Sequence, residues 1–304
     1  MFVMLIHSQG FFLFYVNVIL KRGSVFDLRN TMRKFLFFVC LFITQDALSA
    51  VVDTVSIYCD CMHKTSQCIV IIPDVYFTDS LQLPVLYLLH GYGGNHTSWN
   101  MVAPQLAQRA DENHMIIVCP DGGSRSWYLD SPIDSTSKYE TYFIGEVVPF
   151  IDGRYKTKSE KRFRAITGLS MGGHGALYLA IHHPDVFGAA GSTSGGVDIR
   201  QFTTSWELKE KVLGDTICCK QNWEKHAVIN VVDQLKKNQL AIIIDCGISD
   251  FFLDVNRKLH EKLSSMKIPH DYTERPGEHN SLYWKNSIDY QILFFRKFFD
   301  SSTP

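Results

Sequence analysis

The stretch Ile166-Thr-Gly-Leu-Ser-Met-Gly-Gly-His-Gly175 decides the fold. It predicts a buried strand over residues 164–169, a turn at Ser170 and a helix over residues 172–183. Its centre, Gly168-Leu-Ser-Met-Gly172, has the G-x-S-x-G spacing of a nucleophile elbow. Glycine on both sides of the serine removes side chains that would collide with the neighbouring strand and helix. We therefore expect the serine hydroxyl to be exposed at the carboxyl end of the strand.

The composition is that of a folded protein with one large core. The chain has 304 residues, of which 46% are hydrophobic, and its formal net charge is −1. These values exclude a disordered protein. Because no basic run or basic-aromatic stripe is present, nucleic acid is excluded as an expected partner.

The first fifty residues differ from the rest of the chain. Met32-Arg-Lys34 is a short positive segment, residues 35–43 are apolar, and Leu48-Ser-Ala50 resembles a small-residue cleavage site. This order is typical of a secretory signal peptide, and we expect cleavage after Ala50. Residues 1–31 are then an over-extended start upstream of the true start at Met32; a two-part membrane anchor is the alternative. The mature protein would be exported to the periplasm or secreted, with no stable membrane span.

Seven cysteines follow the predicted cleavage site, and an odd number leaves at least one thiol free. Cys119 and Cys246 end apolar strands and are expected to be buried. Cys59, Cys61 and Cys68 lack the second ligand pair of a zinc site, so no metal is expected. A single disulfide among these three is allowed, and its pairing stays open.

The remaining chain, residues 51–304, alternates strands with helices. This order predicts an α/β domain with a mainly parallel sheet and helices on both faces. The predicted strands cover residues 53–59, 67–73, 83–90, 115–119, 187–192, 240–246 and 270–275, and the predicted helices cover residues 102–113, 139–155, 252–266 and 287–299. Residues 199–238 are polar and are interpreted as a small cap inserted beside the site.

A serine hydroxyl needs a base before it becomes a good nucleophile. In hydrolases with this elbow the acid and then the histidine follow the serine in the chain. The histidines well past the elbow are His226, His260, His270 and His279. His279 is favoured because it lies in a loop directly after the last predicted strand, where parallel sheets present functional groups.

The acid that orients His279 has three candidates: Asp245, Asp250 and Asp254. Asp250 is favoured because it lies in a loop just beyond a predicted strand and can reach the histidine. Asp245 is still on the strand, and Asp254 turns into the following helix, so both remain alternatives.

Acyl transfer also needs two fixed N–H donors for the oxyanion. Met171, directly after the serine, supplies one backbone N–H, and Tyr92 in the glycine-rich loop at residues 90–95 is the best candidate for the second. A purely structural glycine turn is the alternative. His90 would brace this loop, and His174 is expected to pack rather than to catalyse.

Several motifs together resemble the putative-esterase family of α/β-hydrolases, which includes esterase D, S-formylglutathione hydrolases, tributyrin, acetylxylan and feruloyl esterases, and mycolyltransferases. The matching stretches occur in family order over roughly residues 53–300: Tyr87-Leu-Leu-His-Gly-Tyr-Gly-Gly94, Pro120-Asp-Gly-Gly-Ser-Arg-Ser-Trp-Tyr128, Tyr139-Glu-Thr-Tyr142, Gly168-Leu-Ser-Met-Gly-Gly-His-Gly175, Asp245-Cys-Gly-Ile-Ser-Asp250 and Pro276-Gly-Glu-His-Asn280.

The resemblance implies an α/β-hydrolase fold and a serine esterase without metal or organic cofactor. It matches Ser170, Asp250 and His279 to the family's triad, and Tyr92 and Met171 to its oxyanion donors. It also places Trp127 and Tyr128 at the substrate pocket, although a structural aromatic cluster would explain them as well.

The implied substrate is a small-molecule or saccharide ester of short-chain or sugar-linked acyl groups, with the tributyrin and acetyl esterase branch the most similar. Acyl transfer, a thioesterase like S-formylglutathione hydrolase, and a non-catalytic binding module are the alternatives. A homo-oligomer remains open. The sequon Asn95-His-Thr97 beside the oxyanion loop is interpreted as incidental, and the host as bacterial.

Overall fold

The computed structural model describes residues 49–78 and 80–301. The predicted over-extended start and nearly all of the predicted signal peptide therefore lie outside the described residues. Within the described ranges, every helix is too short or too polar to cross a bilayer.

Eight strands form one sheet in the order β1-β2-β4-β3-β5-β6-β7-β8. β1 pairs with β2 and β2 with β4 in antiparallel fashion, and every other pair is parallel. The strands are β1 Val51–Cys59, β2 Lys64–Ile72, β3 Val85–Leu89, β4 Ile116–Pro120, β5 Arg164–Gly168, β6 Ala189–Thr193, β7 Ala241–Gly247 and β8 Asp271–Arg275. The predicted mainly parallel sheet is confirmed.

Ten α-helices connect or flank these strands within the described residues. They are α1 Val75–Thr78, α2 Ser98–Val102, α3 Leu106–Asn113, α4 Tyr139–Tyr142, α5 Val148–Arg154, α6 Met171–His182, α7 Lys220–His226, α8 Val228–Val231, α9 Leu253–Ser265 and α10 Ser281–Ser301. A π-helical segment, Phe143–Val147, joins α4 to α5, and a second one covers Leu208–Leu213. Short 3₁₀ turns cover Asp60–Met62, Lys161–Phe163, Ile199–Gln201 and Val232–Gln234.

The helices cover both faces of the sheet, as predicted. One apolar cluster joins α4–α5, α6 and α9 to one face, and it also includes buried side chains of the 199–238 segment. A second cluster joins α2, α3 and α10 to the opposite face. The central strands β3, β4, β5 and β6 are buried along their whole length, which explains the nearly continuous apolar sequences of β3 and β4.

Two predicted helices have different limits in the structure. The helix expected over residues 102–113 begins only at Leu106, because Pro104 removes a backbone N–H and disfavours helical geometry at Ala103; Val102 instead ends the preceding helix, α2. The last helix begins at Ser281, six residues before the predicted start at residue 287. The added first turn is not purely polar, because it contains Leu282, Tyr283 and Trp284, and Tyr283 is already buried.

The elbow has the local geometry that its glycines predict. Ser170 has φ 55° and ψ −117°, a strained combination for a residue with a side chain. A Cβ at Gly172 would lie 2.2 Å from the Leu89 carbonyl oxygen, and one at Gly168 would lie 2.5 Å from the Gly172 carbonyl oxygen. The first turn of α6 can therefore pack against the end of β3 only when both positions are glycine.

The Gly172→Ala variant should be destabilised by about 3 kcal/mol or more, because its methyl group meets fixed backbone atoms of β3. Gly145→Ala is the matched control, since a Cβ there has no neighbour within 4 Å and the residue lies within a helical segment. The free energy of unfolding of the Gly145→Ala control should be unchanged or should rise by up to about 1 kcal/mol. Urea unfolding measures both. Equal stability of the two variants would contradict the close approach.

Candidate active site

Ser170, His279 and Asp250 form one hydrogen-bonded chain. The Ser170 Oγ lies 2.9 Å from His279 Nε2, and His279 Nδ1 lies 2.8 Å from Asp250 Oδ2. The second Asp250 oxygen accepts the Phe252 backbone N–H at 2.8 Å. The Asp250 side chain is fully buried, whereas Ser170 keeps 9% of its surface exposed. This order of contacts lets a carboxylate hold Nδ1–H while Nε2 faces the serine hydroxyl.

Two loops at the carboxyl edge of the sheet hold Asp250 and His279. The Ile248 N–H donates to the Arg275 carbonyl, and the Ser249 N–H donates to the Gly277 carbonyl, both at 2.9 Å. A Cβ at Gly247 would lie 2.5 Å from the Gly277 carbonyl oxygen, so the loops touch backbone to backbone. The acid and the histidine therefore share one rigid support although 29 positions separate them.

Aromatic side chains surround the His279 ring. Phe251 lies 4.2 Å from it between ring centroids, Trp284 lies 5.0 Å away and Phe252 lies 5.3 Å away. Phe251 is 54% exposed and Tyr92 is 37% exposed, and we call the solvent-facing side of the site that they border the opening. These rings restrict the orientation of the imidazole and exclude water from its face.

The glycine-rich loop after β3 lies beside Ser170. A Cβ added at Gly91 would lie 3.4 Å from the Ser170 Cβ. Gly93 has φ 75°, and its N–H donates to the Ser124 carbonyl at 2.6 Å. No hydrogen bond between described residues uses the backbone N–H of Tyr92 or Met171. Met171 is the first residue of α6, where N–H groups have no partner within the helix.

His90 braces this loop, as the sequence predicted. Its Nε2 accepts the Gly122 N–H at 3.0 Å, and its Nδ1 faces the Gly91 carbonyl at 2.8 Å. The Tyr128 hydroxyl donates to the His90 carbonyl at 3.1 Å. Two of these contacts, His90 Nε2 with Gly122 and the Tyr128 hydroxyl with the His90 carbonyl, tie the loop after β3 to the loop after β4.

Asp245, one of the alternative acids, does not contact His279. It is buried under the sheet edge, accepting hydrogen bonds from Ser287 at 2.6 Å and Gln291 at 2.8 Å, with Arg275 3.1 Å away. Burial raises the pKa of its carboxyl group, and the Arg275 guanidinium opposes that rise. Because Arg275 precedes the His279 loop and Ser287 follows it, Asp245 anchors both ends of that loop. Asp254, the other alternative, is exposed on α9.

The other candidate histidines have local partners away from Ser170. His260 and His270 contact each other, Nδ1 to Nε2, at 2.7 Å. His226 Nδ1 contacts the Asn222 carbonyl at 2.6 Å. His279 is therefore the candidate that the structure brings to the serine.

Trp127 and Tyr128 lie below the opening. Tyr128 is fully buried, and its ring occupies the space that a Cβ at Gly122 or Gly175 would need. Trp127 is 1% exposed, and its ring centroid lies 5.7 Å from that of Trp206. This burial favours the structural cluster over the predicted pocket, above all for Tyr128. The aromatic rings that face the opening are those of Phe251 and Tyr92, which are 54% and 37% exposed.

The 199–238 segment reaches the site through two consecutive residues that the sequence analysis did not assign to it. Trp206 stacks on Phe251 at 6.0 Å with an interplanar angle of 27°. Glu207 accepts the Tyr92 hydroxyl at 2.9 Å and pairs with Arg125 at 2.5 Å. The aromatic character of Trp206 was the one sequence signal available, since the segment has no periodic pattern.

The cysteines in the described residues are free thiols. Cys119 and Cys246 are buried, as predicted. The Sγ atoms of Cys59 and Cys61 lie 3.1 Å apart, farther than the roughly 2.05 Å of a disulfide bond, so the disulfide that the sequence allows among Cys59, Cys61 and Cys68 is not formed in this structure. In residues 49–78 and 80–301, no group of three or more histidine, cysteine, aspartate or glutamate side chains is arranged to hold a metal ion.

A mainly parallel eight-stranded sheet, covered by helices on both faces and carrying a strained serine turn after β5, defines the α/β-hydrolase class. Within that class the chain belongs to the family described as "Putative esterase", whose model matches residues 61–295.

Curated relatives include an esterase of Mycobacterium tuberculosis strain H37Rv, 30% identical over an alignment of 235 residues that covers 69% of this chain and 51% of the relative. The chain thus spans about half the length of that relative. The acetyl esterase of Caldicellulosiruptor saccharolyticus is 28% identical over 71% of this chain and 85% of its own length.

Solved structures share the fold. A ferulic acid esterase superposes with a TM-score of 0.71 at 25% identity and covers 83% of this chain and 99% of its own. A fluorophosphonate-binding serine hydrolase of Staphylococcus aureus superposes with a TM-score of 0.73 at 21% identity, over 81% of this chain and 98% of its own.

His174 lies on α6 and is fully buried against the 199–238 segment, in agreement with the packing role expected from the sequence. Its Nε2 contacts the His226 carbonyl at 2.8 Å, and its ring lies edge-on to Trp127 at 5.3 Å. Burial lowers its pKa to about 4. The imidazole is therefore neutral in the folded state across the range in which an exposed histidine becomes protonated.

A folded-state pKa below the unfolded value of about 6.5 means that the unfolded chain binds the proton first as pH falls. Proton binding at His174 in the unfolded chain should therefore lower the free energy of unfolding by about 2 kcal/mol as the pH falls from 7 to 4.5. Over the same pH interval, the free energy of unfolding of the His174→Gln variant should fall by about 2 kcal/mol less than that of the wild type. Urea unfolding at the two pH values measures it. Parallel losses in both proteins would contradict the depressed pKa.

Proposed function

We propose that this protein is a serine esterase that hydrolyses carboxylic esters through a covalent acyl-enzyme on Ser170. The observation that carries the proposal is the continuous hydrogen-bonded chain from the Ser170 Oγ through His279 to Asp250. Membership of the esterase family and the strained serine turn support the same chemistry.

In the first half of the proposed reaction, Ser170 Oγ attacks the ester carbonyl carbon while His279 Nε2 takes the hydroxyl proton. Asp250 keeps the imidazole oriented and stabilises its positive charge. The tetrahedral oxyanion is received by the backbone N–H groups of Tyr92 and Met171, each typically worth about 3–4 kcal/mol of barrier. The carbon–oxygen bond to the alcohol then breaks, and His279 returns its proton to the leaving oxygen.

In the second half, water attacks the acyl-enzyme carbonyl and gives its proton to His279. The same two N–H groups stabilise the second oxyanion. The bond from the acyl carbon to Ser170 breaks, the serine regains its proton, and the carboxylic acid leaves. The proposed cycle uses no metal and no organic cofactor.

The proposed substrates are small esters of short-chain or sugar-linked acyl groups. Relatives named acetyl esterase and ferulic acid esterase support this choice. The exposed aromatic side chains at the opening, Phe251 and Tyr92, offer apolar contact to an acyl group. Acyl transfer to an alcohol and thioester hydrolysis would use the same acyl-enzyme, and product analysis with a competing alcohol separates the first of them from hydrolysis.

Export remains part of the proposal. It rests on the charged, apolar and small-residue segments at residues 32–50, which are typical of a cleaved signal peptide. Amino-terminal sequencing of the protein recovered outside the cytoplasm should begin at Val51; a start far from that residue would overturn this part.

The Ser170→Ala variant should lose about 10⁴- to 10⁶-fold in kcat toward p-nitrophenyl acetate, because the nucleophile is gone. Asp250→Asn should lose about 10⁴-fold, because the histidine loses its orientation and charge stabilisation. Steady-state release of p-nitrophenol measures both variants.

Asp254→Asn is the matched control, with the same substitution four residues along the chain on an exposed side chain. It should keep kcat within about twofold of the wild type. Full activity of Ser170→Ala would remove the proposed mechanism, and equal losses in the two aspartate variants would reject Asp250 as the acid.

A further inference from the structure

Two adjacent residues of the 199–238 segment have backbone angles that side chains seldom adopt. Trp206 has φ 54° and Glu207 has φ 53°. Left-handed geometry costs free energy at each non-glycine position, so neighbouring contacts must hold the pair in place. Strain of this kind concentrates at functional sites, and here it aims consecutive side chains at opposite sides of the opening above Ser170.

Trp206 contacts the histidine side of the opening. Its ring stacks on Phe251, and Phe251 in turn lies against His279 at 4.2 Å. Phe252 and Phe202 pack around the same indole, at 5.2 and 5.5 Å. This aromatic cluster fixes the backbone from which Glu207 extends.

Glu207 contacts the oxyanion side of the opening. Its Oε2 accepts the Tyr92 hydroxyl at 2.9 Å and lies 2.5 Å from Arg125 Nη1. Arg125 directly follows Ser124, whose carbonyl accepts the Gly93 N–H at 2.6 Å. One carboxylate therefore holds the side chain of residue 92 and the segment that anchors residue 93.

The Tyr92 hydroxyl remains a donor to this carboxylate at neutral pH. Partial burial raises its pKa, and the hydrogen bond to Glu207 raises the pKa further. Arg125 and Glu207 are both partly exposed, so their ion pair contributes little to global stability. The cluster is better suited to fixing a loop than to stabilising the fold.

We propose that Glu207 is a positioning residue that holds the Tyr92 backbone N–H in place for the oxyanion, so that the 199–238 segment takes part in transition-state stabilisation. This inference rests on the proposed esterase function. The Tyr92 main chain has glycine on both sides, so its position depends strongly on what holds its side chain. Glu207 does not touch the reacting atoms and acts only through Tyr92.

Glu207→Ala should lower kcat for p-nitrophenyl acetate about 10- to 100-fold and leave KM within about threefold. The upper bound follows because complete loss of an oxyanion donor costs about 10²- to 10³-fold and small misplacements cost less. Tyr92→Phe keeps the backbone N–H but loses the hydroxyl, and should lower kcat by a similar factor. Glu207→Gln keeps an acceptor for the hydroxyl and should recover most of the lost rate.

The double variant Tyr92→Phe/Glu207→Ala tests whether the two residues act through one contact. Its kcat should be no lower than that of the worse single variant, because either change breaks the same hydrogen bond. Asp215→Ala is the matched control: it breaks the Lys209–Asp215 ion pair of 2.8 Å in the same segment, away from Tyr92. Its kcat should stay within about twofold of the wild type.

An unchanged kcat in Glu207→Ala, a change confined to KM, or multiplicative losses in the double variant would overturn the proposal. A loss in Asp215→Ala as large as that in Glu207→Ala would overturn it too, since it would show a general effect of the segment. The Ser170→Ala variant distinguishes a failure of the positioning role of Glu207 from a failure of the esterase mechanism. If that variant is inactive while Glu207→Ala is normal, only the positioning role fails; if Ser170→Ala is active, the esterase mechanism fails.

Discussion

The close approach of α6 to the end of β3 is the constraint on which the rest of the site depends. A Cβ at Gly172 would lie 2.2 Å from the Leu89 carbonyl oxygen, so only glycine lets the helix begin where it does. That start places Ser170 at φ 55°, with its hydroxyl toward the loops at the carboxyl edge of the sheet and the Met171 N–H free of a helical partner. Strand and helix packing hold the serine in this strained geometry, which suits the nucleophile role that we propose for it.

The groups around the serine come from loops that are fastened to one another rather than to the sheet alone. The acid and histidine loops touch through the backbone at Gly247 and Gly277. Asp245, buried beneath them, joins the strand before His279 to the helix after it. On the other side His90 links the loops after β3 and β4. The site is thus preorganised by contacts between loops, which fits chemistry that tolerates little displacement.

The sequence was sufficient to predict the mainly parallel sheet and the elbow, and to propose His279 and Asp250, whose side chains the structure links to Ser170 by hydrogen bonds. Those inferences rest on local patterns, namely apolar strands, glycine spacing and loops that directly follow strands. Glu207 could not be found in this way, because its contact with Tyr92 joins residues 115 positions apart and lies in a segment without periodicity. The choice between a pocket role and a structural role for Tyr128 could not be made from the sequence for a related reason: an aromatic residue in a glycine-rich loop has the same sequence signature whether it faces a ligand or, as Tyr128 does here, is buried.

The proposed mechanism depends on Ser170 being the nucleophile that His279 activates. Reaction with a fluorophosphonate, followed by peptide mapping by mass spectrometry, identifies the nucleophile. We expect one phosphonyl adduct on the wild-type protein, located at Ser170, and labelling slowed by orders of magnitude in His279→Ala. An adduct at another residue, or an equal labelling rate in Ser170→Ala, would refute the assignment of Ser170.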